Sequence, residues 1–206
     1  MFFRRRFAFA LFFIFAVAIA PIHTLMAAEA ACSCTPPHVG IALAEKIKEI
    51  DFALFLIQKR LSVCHEVARW KWNKNVDIDD PVYERQMLKK IGKLATAYGL
   101  DKEWAAKFFQ AQLAASNMIQ THDFEYWHSQ HVQKHPQCAD LHTEIRPYLD
   151  RLTKELLEAL VAITPYLEDK TLLPLLLEQP LSTRQSDLID EEIWQQAIAP
   201  FYEYGL

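Results

Sequence analysis

The sequence predicts an all-α protein that folds as a single-domain helical bundle. Apolar residues recur at the three-to-four-residue spacing of amphipathic helices, and no stretch alternates in the manner of a half-buried strand. Of 206 residues, 51% are hydrophobic and only four are glycine, so the chain can bury a sizeable core. No internal repeat or low-complexity linker divides it, which predicts one domain over residues 31–206.

The first residues, 1–30, are predicted to be a signal peptide that lies outside this domain. A basic start, MFFRRR, precedes the apolar run FAFALFFIFAVAIA and the small residues of LMAAEAAC, which is the order found in secretory leaders. The apolar run is shorter than the roughly 20 residues that span a bilayer, and an uncleaved anchor is the alternative. We therefore expect a periplasmic or secreted protein, without stable membrane insertion after the leader is removed.

Capping residues place the first two helices. The first helix is predicted from about Gly40 to Lys74. Asp80 can cap a second helix, because its side chain can accept from the first turn and Pro81 suits the first helical position. Gly99 is a natural stop for that helix, and Asp101 can cap the next one.

Apolar periodicity places the remaining helices. The third is predicted from about Lys102 to His128, before the polar, His-rich connector SQHVQKHPQC. The fourth is predicted over roughly Leu141 to Ile163, kinked or started at Pro147, since proline disrupts a helix interior. The segments TLLPLLLEQP and DEEIWQQAIAPFYEY predict one or two shorter helices near the C-terminus.

Two cations of the first helix lie where apolar residues are expected. On a helical wheel Arg60 and Lys71 are only about 20° apart, and roughly three turns separate them along the axis. A buried charge costs free energy unless it finds a partner, so this placement requires an explanation. Their neighbours on the same face are Leu56, Ile57, Val63, Cys64 and Val67.

The third helix also carries polar groups on its apolar face. Ser116 and Gln120 are one turn apart, and Gln112 lies one turn earlier. Packed together, the two helices would enclose a cationic, hydrogen-bonding pocket inside the bundle, where ligand sites are known to occur. The alternative is that the cations extend to water and the other groups bond to the backbone. The pocket hypothesis predicts a small anion as the ligand.

Several other classes of function have weak support in the sequence. The net charge of −4 comes without a basic stripe, so nucleic acid is not an expected partner. The spacing of His128, His131, His135 and Cys138 could present ligands to zinc, but a solvated loop is the simpler interpretation, and no metal is predicted. No spacing of Ser, His and Asp indicates a hydrolase.

The order of several short motifs resembles one family. The segment RLSVCHEVARWKW is followed by DIDDPVYERQML, AYGLD, FFQAQLAASNMIQ and FEYW. In that order they resemble the secreted, gamma-subclass chorismate mutases of the all-helical type. The resemblance runs from about Arg60 to Trp127, with a weaker echo in IRPYLDRLTKELLEAL, and the predicted export signal agrees with the secreted subclass.

The resemblance implies a unimolecular rearrangement of chorismate to prephenate, without metal, cofactor or covalent intermediate. Chorismate is a dicarboxylate that must fold into a chair-like geometry before its ether bond breaks. Cations that grip both carboxylates supply the orientation, and donors aimed at the ether oxygen stabilise the charge that develops there. Relatives of this kind are commonly dimeric, so a homodimer is also implied.

The resemblance assigns roles to six residues. Arg60 matches the arginine that holds a carboxylate, and Lys71 matches the lysine that bonds the ether oxygen as well as a carboxylate. Gln120 matches the second ether-oxygen donor, and Glu84 the acid that accepts from the ring hydroxyl. The other matches are to supporting positions, Asp80 and Ser116.

Two positions depart from the family pattern. Tyr83 stands where the family usually has an arginine, in D-P-x-R-E, and its phenol can give a substrate one hydrogen bond but no bidentate charged grip. Glu155 stands where an arginine of the fourth helix is expected. A rival hypothesis follows, in which Glu155 reaches into the bundle and neutralises Arg60 or Lys71. The protein would then be a catalytically inactive binding or interaction protein of the same fold.

Overall fold

A computed structural model describes residues 37–169 and 189–205, with side chains from residue 44 onward. These residues form helices and no strand, which confirms the predicted all-α class. The helices are α1 (Pro37–Lys74), α2 (Pro81–Tyr98), α3 (Lys102–Ser129), a π-helical turn (Leu141–Ile145) that runs directly into α4 (Arg146–Leu167), and α5 (Glu191–Tyr202).

The predicted caps of α2 and α3 are confirmed. Asp80 accepts a hydrogen bond from the backbone N–H of Tyr83 at 3.0 Å, and Asp101 caps α3 in the same way at 2.6 Å. Gly99 ends α2 with φ of 77°, in the left-handed region that glycine enters without strain. These local signals therefore fix the short connections on either side of α2.

Other predicted boundaries need correction. The first helix begins at Pro37, earlier than the predicted Gly40. The fourth starts with the π-helical turn, which Asp140 caps by accepting from two backbone N–H groups, and the α-helix continues past Ile163 to Leu167. Pro147 lies in the first turn of α4, just after the π-helical turn. The segment TLLPLLLEQP and the predicted signal peptide lie outside the described residues.

Helix α3 lies at the centre of the bundle and packs against α1, α2 and α5, while α1 also packs against α4. The N-terminal half of α3 contributes an aromatic core with α5, in which the rings of Phe108 and Phe201 stack at 5.3 Å. Within the described residues, every helix is too short or too polar to cross a membrane. The C-terminal half of α3 turns instead toward a polar cavity.

Candidate active site

A cavity lies between helices α1, α2, α3 and α4, next to the loop that leads into α2. The space open to the centres of water-sized spheres is about 60 Å³, enough for several water molecules. All seven residues singled out from the sequence line it: Arg60, Lys71, Asp80, Tyr83, Glu84, Ser116 and Gln120. The structure therefore brings together side chains from three helices that the sequence analysis could only place on separate faces.

Arg60 enters the cavity from the middle of α1, as its helical phase predicts. Its side chain is 7% exposed, and Nη1 donates to Thr153 Oγ1 at 2.6 Å and to Leu149 O at 3.2 Å. The guanidinium carbon lies 5.5 Å from the centre of the Phe109 ring. Burial lowers the pKa of Arg60, but a guanidinium stays charged. Its Nε is buried and has no hydrogen-bond partner among the described residues.

Lys71 is the second buried cation of α1. It is 6% exposed, and its Nζ donates to the backbone oxygen of Ile78 in the loop before α2. Burial lowers the pKa of Lys71, and the charge of Asp80 partly opposes this effect. Within the described residues, neither Lys71 nor Arg60 forms an ion pair with a carboxylate. The direct hydrogen-bond partners of both cations are neutral oxygens, so a bound anion would offset part of the cost of burying their charge.

The predicted role of Glu155 is wrong. Its side chain is exposed on α4 and does not line the cavity. The face of α4 that meets Arg60 carries Leu149 and Thr153, and position 155 lies about 200° around the helix from position 153. The hypothesis of a pocket neutralised by this glutamate therefore loses its basis.

Arg146, which the sequence analysis missed, supplies a third cation. It is the first residue of α4, and its Nη2 donates to Asp80 Oδ2 at 2.9 Å. Its guanidinium carbon lies 4.1 Å from the centre of the Tyr83 ring, so a cation stands beside the position where the family pattern has an arginine. One signal could have found it, because Arg146 shares a helical face with Leu149 and Thr153.

Tyr83 itself is half-buried at the wall of the cavity. Burial raises the pKa of Tyr83, while the charges of Arg60 and Arg146 work in the opposite direction. The phenol is therefore neutral near pH 7, and it lies close enough to both guanidinium groups to feel their charge. It can donate one hydrogen bond, as the sequence analysis expected.

The α3 wall of the cavity is a network of amides and a hydroxyl. Gln120 Nε2 donates to Ser116 Oγ at 3.0 Å and to Ser116 O at 3.1 Å. Gln120 Oε1 is buried and has no partner among the described residues. Asn117, also missed from the sequence, donates to Glu84 Oε1 at 3.3 Å and so links the glutamate of α2 to this wall. The network leaves a carboxylate, an amide and a hydroxyl facing one small volume.

Two of the histidines considered as zinc ligands contact aromatic rings instead. His128 packs edge-on against Trp72 at 4.6 Å, and His135 lies 4.2 Å from the centre of the Trp127 ring. No group of three or more His, Cys, Asp or Glu side chains within residues 44–169 and 189–205 is arranged to hold a metal ion. These two histidine side chains therefore pack on tryptophans near the C-terminal ends of α1 and α3.

The arrangement is suited to one kind of chemistry. Three cations surround the cavity, whereas its carboxylates, Asp80 and Glu84, are engaged with Arg146 and Asn117. Such a site can hold a compact dianion in a fixed conformation and aim hydrogen-bond donors at a neutral oxygen that gains charge during a reaction.

Known proteins resemble the chain in both sequence and fold. Residues 43–121 match the family described as chorismate mutase type II. The secreted chorismate mutase of Mycobacterium tuberculosis is 26% identical over 117 residues. That match covers 57% of this chain, and the chain spans 58% of the length of that curated relative.

Solved structures extend the comparison to most of the bundle. The secreted chorismate mutase of Yersinia pestis, at 23% identity, supports the fold with a TM-score of 0.60 and covers 72% of this chain and 94% of that one. The chorismate mutase of Burkholderia thailandensis is 30% identical, with a TM-score of 0.66 over 74% of this chain and 98% of that one. The helical fold, the cationic cavity and these similarities together show that the chain belongs to the type II chorismate mutase family.

Proposed function

We propose that the protein catalyses the rearrangement of chorismate to prephenate. The observation that carries this proposal is the pair of buried cations, Arg60 and Lys71, which have no carboxylate partner among the described residues and line one cavity. Family membership supports the same activity. A buried charge is costly without a counter-ion, and a dicarboxylate substrate would provide two.

The carboxylates of the substrate are held by cations from two different helices. Arg60 grips one carboxylate from α1, and Arg146 grips the other from the start of α4, beside Tyr83. Both guanidinium groups are anchored by other contacts, Arg60 on Thr153 and Arg146 on Asp80, so little side-chain freedom is lost when the substrate binds. Holding both ends of a flexible dianion in the chair-like geometry removes most of the entropic part of the barrier.

The ether oxygen is served by Lys71 and Gln120. When the C–O bond lengthens, charge develops on this oxygen, and donors fixed in a cavity of low dielectric stabilise it. Lys71 can keep its bond to the Ile78 carbonyl and donate another N–H to the substrate, because an ammonium has three donors. Gln120 must turn an amide N–H away from Ser116. Glu84 accepts from the ring hydroxyl, and Asp80 and Ser116 hold their neighbours in place.

The reaction takes place outside the cytoplasm in this proposal. The support is the order of charges and apolar residues in positions 1–30, together with the secreted relative from Mycobacterium tuberculosis. The test is to express the full chain and to sequence the N-terminus of the exported protein. We expect cleavage after Ala28 or Ala30. An uncleaved chain that is recovered in the membrane fraction would contradict the proposal. A homodimer remains a prediction of the family resemblance.

The activity is tested with the purified chain from residue 31 onward, by following the loss of chorismate absorbance. The Lys71→Ala variant should lose about a thousandfold in turnover, because it removes a charged donor from the ether oxygen. The matched control is Lys154→Ala, which removes an exposed lysine of α4 and should retain full turnover. A folded helical protein without turnover, or equal turnover in Lys71→Ala, would contradict the proposal.

A further inference from the structure

The guanidinium of Arg146 is held on three sides. Its Nη2 donates to Asp80 Oδ2 at 2.9 Å, its Nη1 lies 3.3 Å from His142 Nδ1, and its carbon lies 4.1 Å from the centre of the Tyr83 ring. The contact with the ring is the shortest cation–ring distance within the described residues. The cation thus lies over the phenol ring, with 26% of its side-chain surface exposed.

Tyr83 and Asp80 form one unit at the start of α2. Asp80 accepts from the backbone N–H of Tyr83 with Oδ1 and from Arg146 with Oδ2. The contacts with Asp80 and His142 fix the positions of two guanidinium nitrogens, but the plane can still rotate about the line that joins them. A stacked aromatic ring fixes the plane as well, and it leaves the N–H groups at the edge of the guanidinium available for an anion.

We propose that Tyr83 is a positioning residue, whose ring holds the Arg146 guanidinium in the plane that grips the second carboxylate of the substrate. This inference rests on the proposed function and states how the second carboxylate of the substrate is bound. The family places an arginine at this position, whereas here the charge comes from α4 and the residue on α2 supplies a platform for it. The ring, and not the hydroxyl, carries the effect.

The structure provides the variants that separate ring from hydroxyl. Tyr83→Phe removes the hydroxyl and keeps the ring, while Tyr83→Leu removes the platform and keeps apolar bulk at a half-buried site. Arg146→Ala and the double variant Arg146→Ala with Tyr83→Leu test whether Tyr83 acts through the arginine. Circular dichroism and thermal unfolding establish that each variant is folded before it is assayed.

Two readouts are measured for each variant. The first is the Kd for a bicyclic dicarboxylate ether that mimics the chair-like transition state, measured by calorimetry. The second is the KM and kcat for chorismate. Tyr83→Phe should weaken Kd and raise KM about threefold and Tyr83→Leu about thirtyfold, because stacking on a partly desolvated ring is worth one to two powers of ten in affinity. The kcat of Tyr83→Leu should fall as well, but by less than KM rises, since the carboxylate is gripped in both ground and transition states while the bound substrate is less well oriented.

The double variant gives the decisive comparison. On the Arg146→Ala background, Tyr83→Leu should change Kd by less than about twofold, because no guanidinium is left to position. An equal loss in Tyr83→Phe and Tyr83→Leu, or the full thirtyfold loss without Arg146, would overturn the inference. Binding of the bicyclic ether without turnover of chorismate by the unmutated protein would overturn the proposed function alone, and the Kd values would still decide the role of Tyr83. Absence of both would overturn the two together.

Discussion

Helix α3 carries two buried glutamines, about two turns apart, that both line the cavity but bond to different parts of the molecule. Gln112 is 3% exposed and Gln120 is 2% exposed. Gln112 Nε2 donates across the bundle to Ala197 O of α5 at 2.8 Å, whereas Gln120 Nε2 donates within its own helix, to Ser116. A buried amide that bonds to another element ties the two together. One that is satisfied only by its own helix, beside a cavity, can turn to a ligand at little cost.

The same contrast separates the two halves of the bundle. Around the first half of α3, polar atoms are bonded to distant backbone oxygens, as Trp104 Nε1 is to Pro200 O at 2.9 Å, and aromatic rings fill the space between. Around the second half, Arg60 and Lys71 are held by neutral oxygens, Arg146 by the carboxylate of Asp80, and a cavity remains between them. We therefore expect substitutions in the first half to alter stability, and substitutions in the second half to alter catalysis.

The largest expected effect belongs to the aromatic half. Phe201→Ala should lower the free energy of unfolding by about 3–5 kcal/mol, because it removes a fully buried ring that stacks on Phe108 and leaves a cavity. Chemical denaturation measures this loss. The kcat of the fraction that stays folded at low temperature should change by less than about threefold, and a collapse of kcat in folded protein would break the proposed separation of the two halves.

The glutamine pair sharpens the comparison on a single helix. Gln120→Leu should reduce kcat about a hundredfold, because it removes a donor to the ether oxygen, with a change in unfolding free energy of less than about 1 kcal/mol. Gln112→Leu is the matched control, and should cost about 1–3 kcal/mol of stability through the loss of its bond to Ala197, with little effect on kcat. The reverse assignment of effects would show that Gln112 is the amide that serves the substrate.

The activity should also depend on pH through a residue of the cavity, Lys71. Because burial lowers the pKa of Lys71 from the ordinary lysine value of 10.5, the donor loses its proton earlier as the pH rises. The value of kcat/KM, which reports the free enzyme, should therefore fall on an alkaline limb below pH 10.5. The same lowered pKa means that the unfolded chain binds this proton more tightly, so the contribution of Lys71 to stability improves as the pH rises through the limb.

The variant Lys71→Arg supplies the control for that limb. A guanidinium does not titrate in this range, so the residual activity of the variant should lack the alkaline fall. An identical limb in both proteins would assign it to another group, such as the phenol of Tyr83.

The smallest effect is expected at Glu155. Glu155→Ala should change kcat/KM by less than about twofold and the unfolding free energy by less than about 0.5 kcal/mol, since the side chain is exposed and distant from the cations. The same chorismate assay and a denaturant titration measure both quantities. A rise in activity above this level would revive the hypothesis that the glutamate neutralises the pocket.

The parts of the fold that could be predicted from sequence are those set by local chemistry. Asp80, Gly99 and Asp101 end or begin helices through contacts within a few residues, so their roles were readable from the chain. The burial of Arg60 and Lys71 was likewise predictable, because helical period alone assigns them to the apolar face.

The error at Glu155 came from weighting the family pattern above that period. Arg151, Lys154, Glu155 and Glu158 are all exposed, and together they mark the polar face of α4, so the apolar pattern already contradicted an inward glutamate. The contact between Arg146 and Asp80 is different. The two residues are 66 positions apart and meet only through the packing of α4 against the start of α2. No local signal encodes such a pairing.

The two contacts of the Asp80 carboxylate have a consequence for when the ligand site forms during folding. One oxygen starts α2 and the other secures Arg146, so helix initiation and the arrival of the third cation share a single group. The ligand site therefore cannot be assembled ahead of the tertiary structure. An unfolded chain carries the same charges but does not gather them around a dianion, and it acquires that ability only on folding.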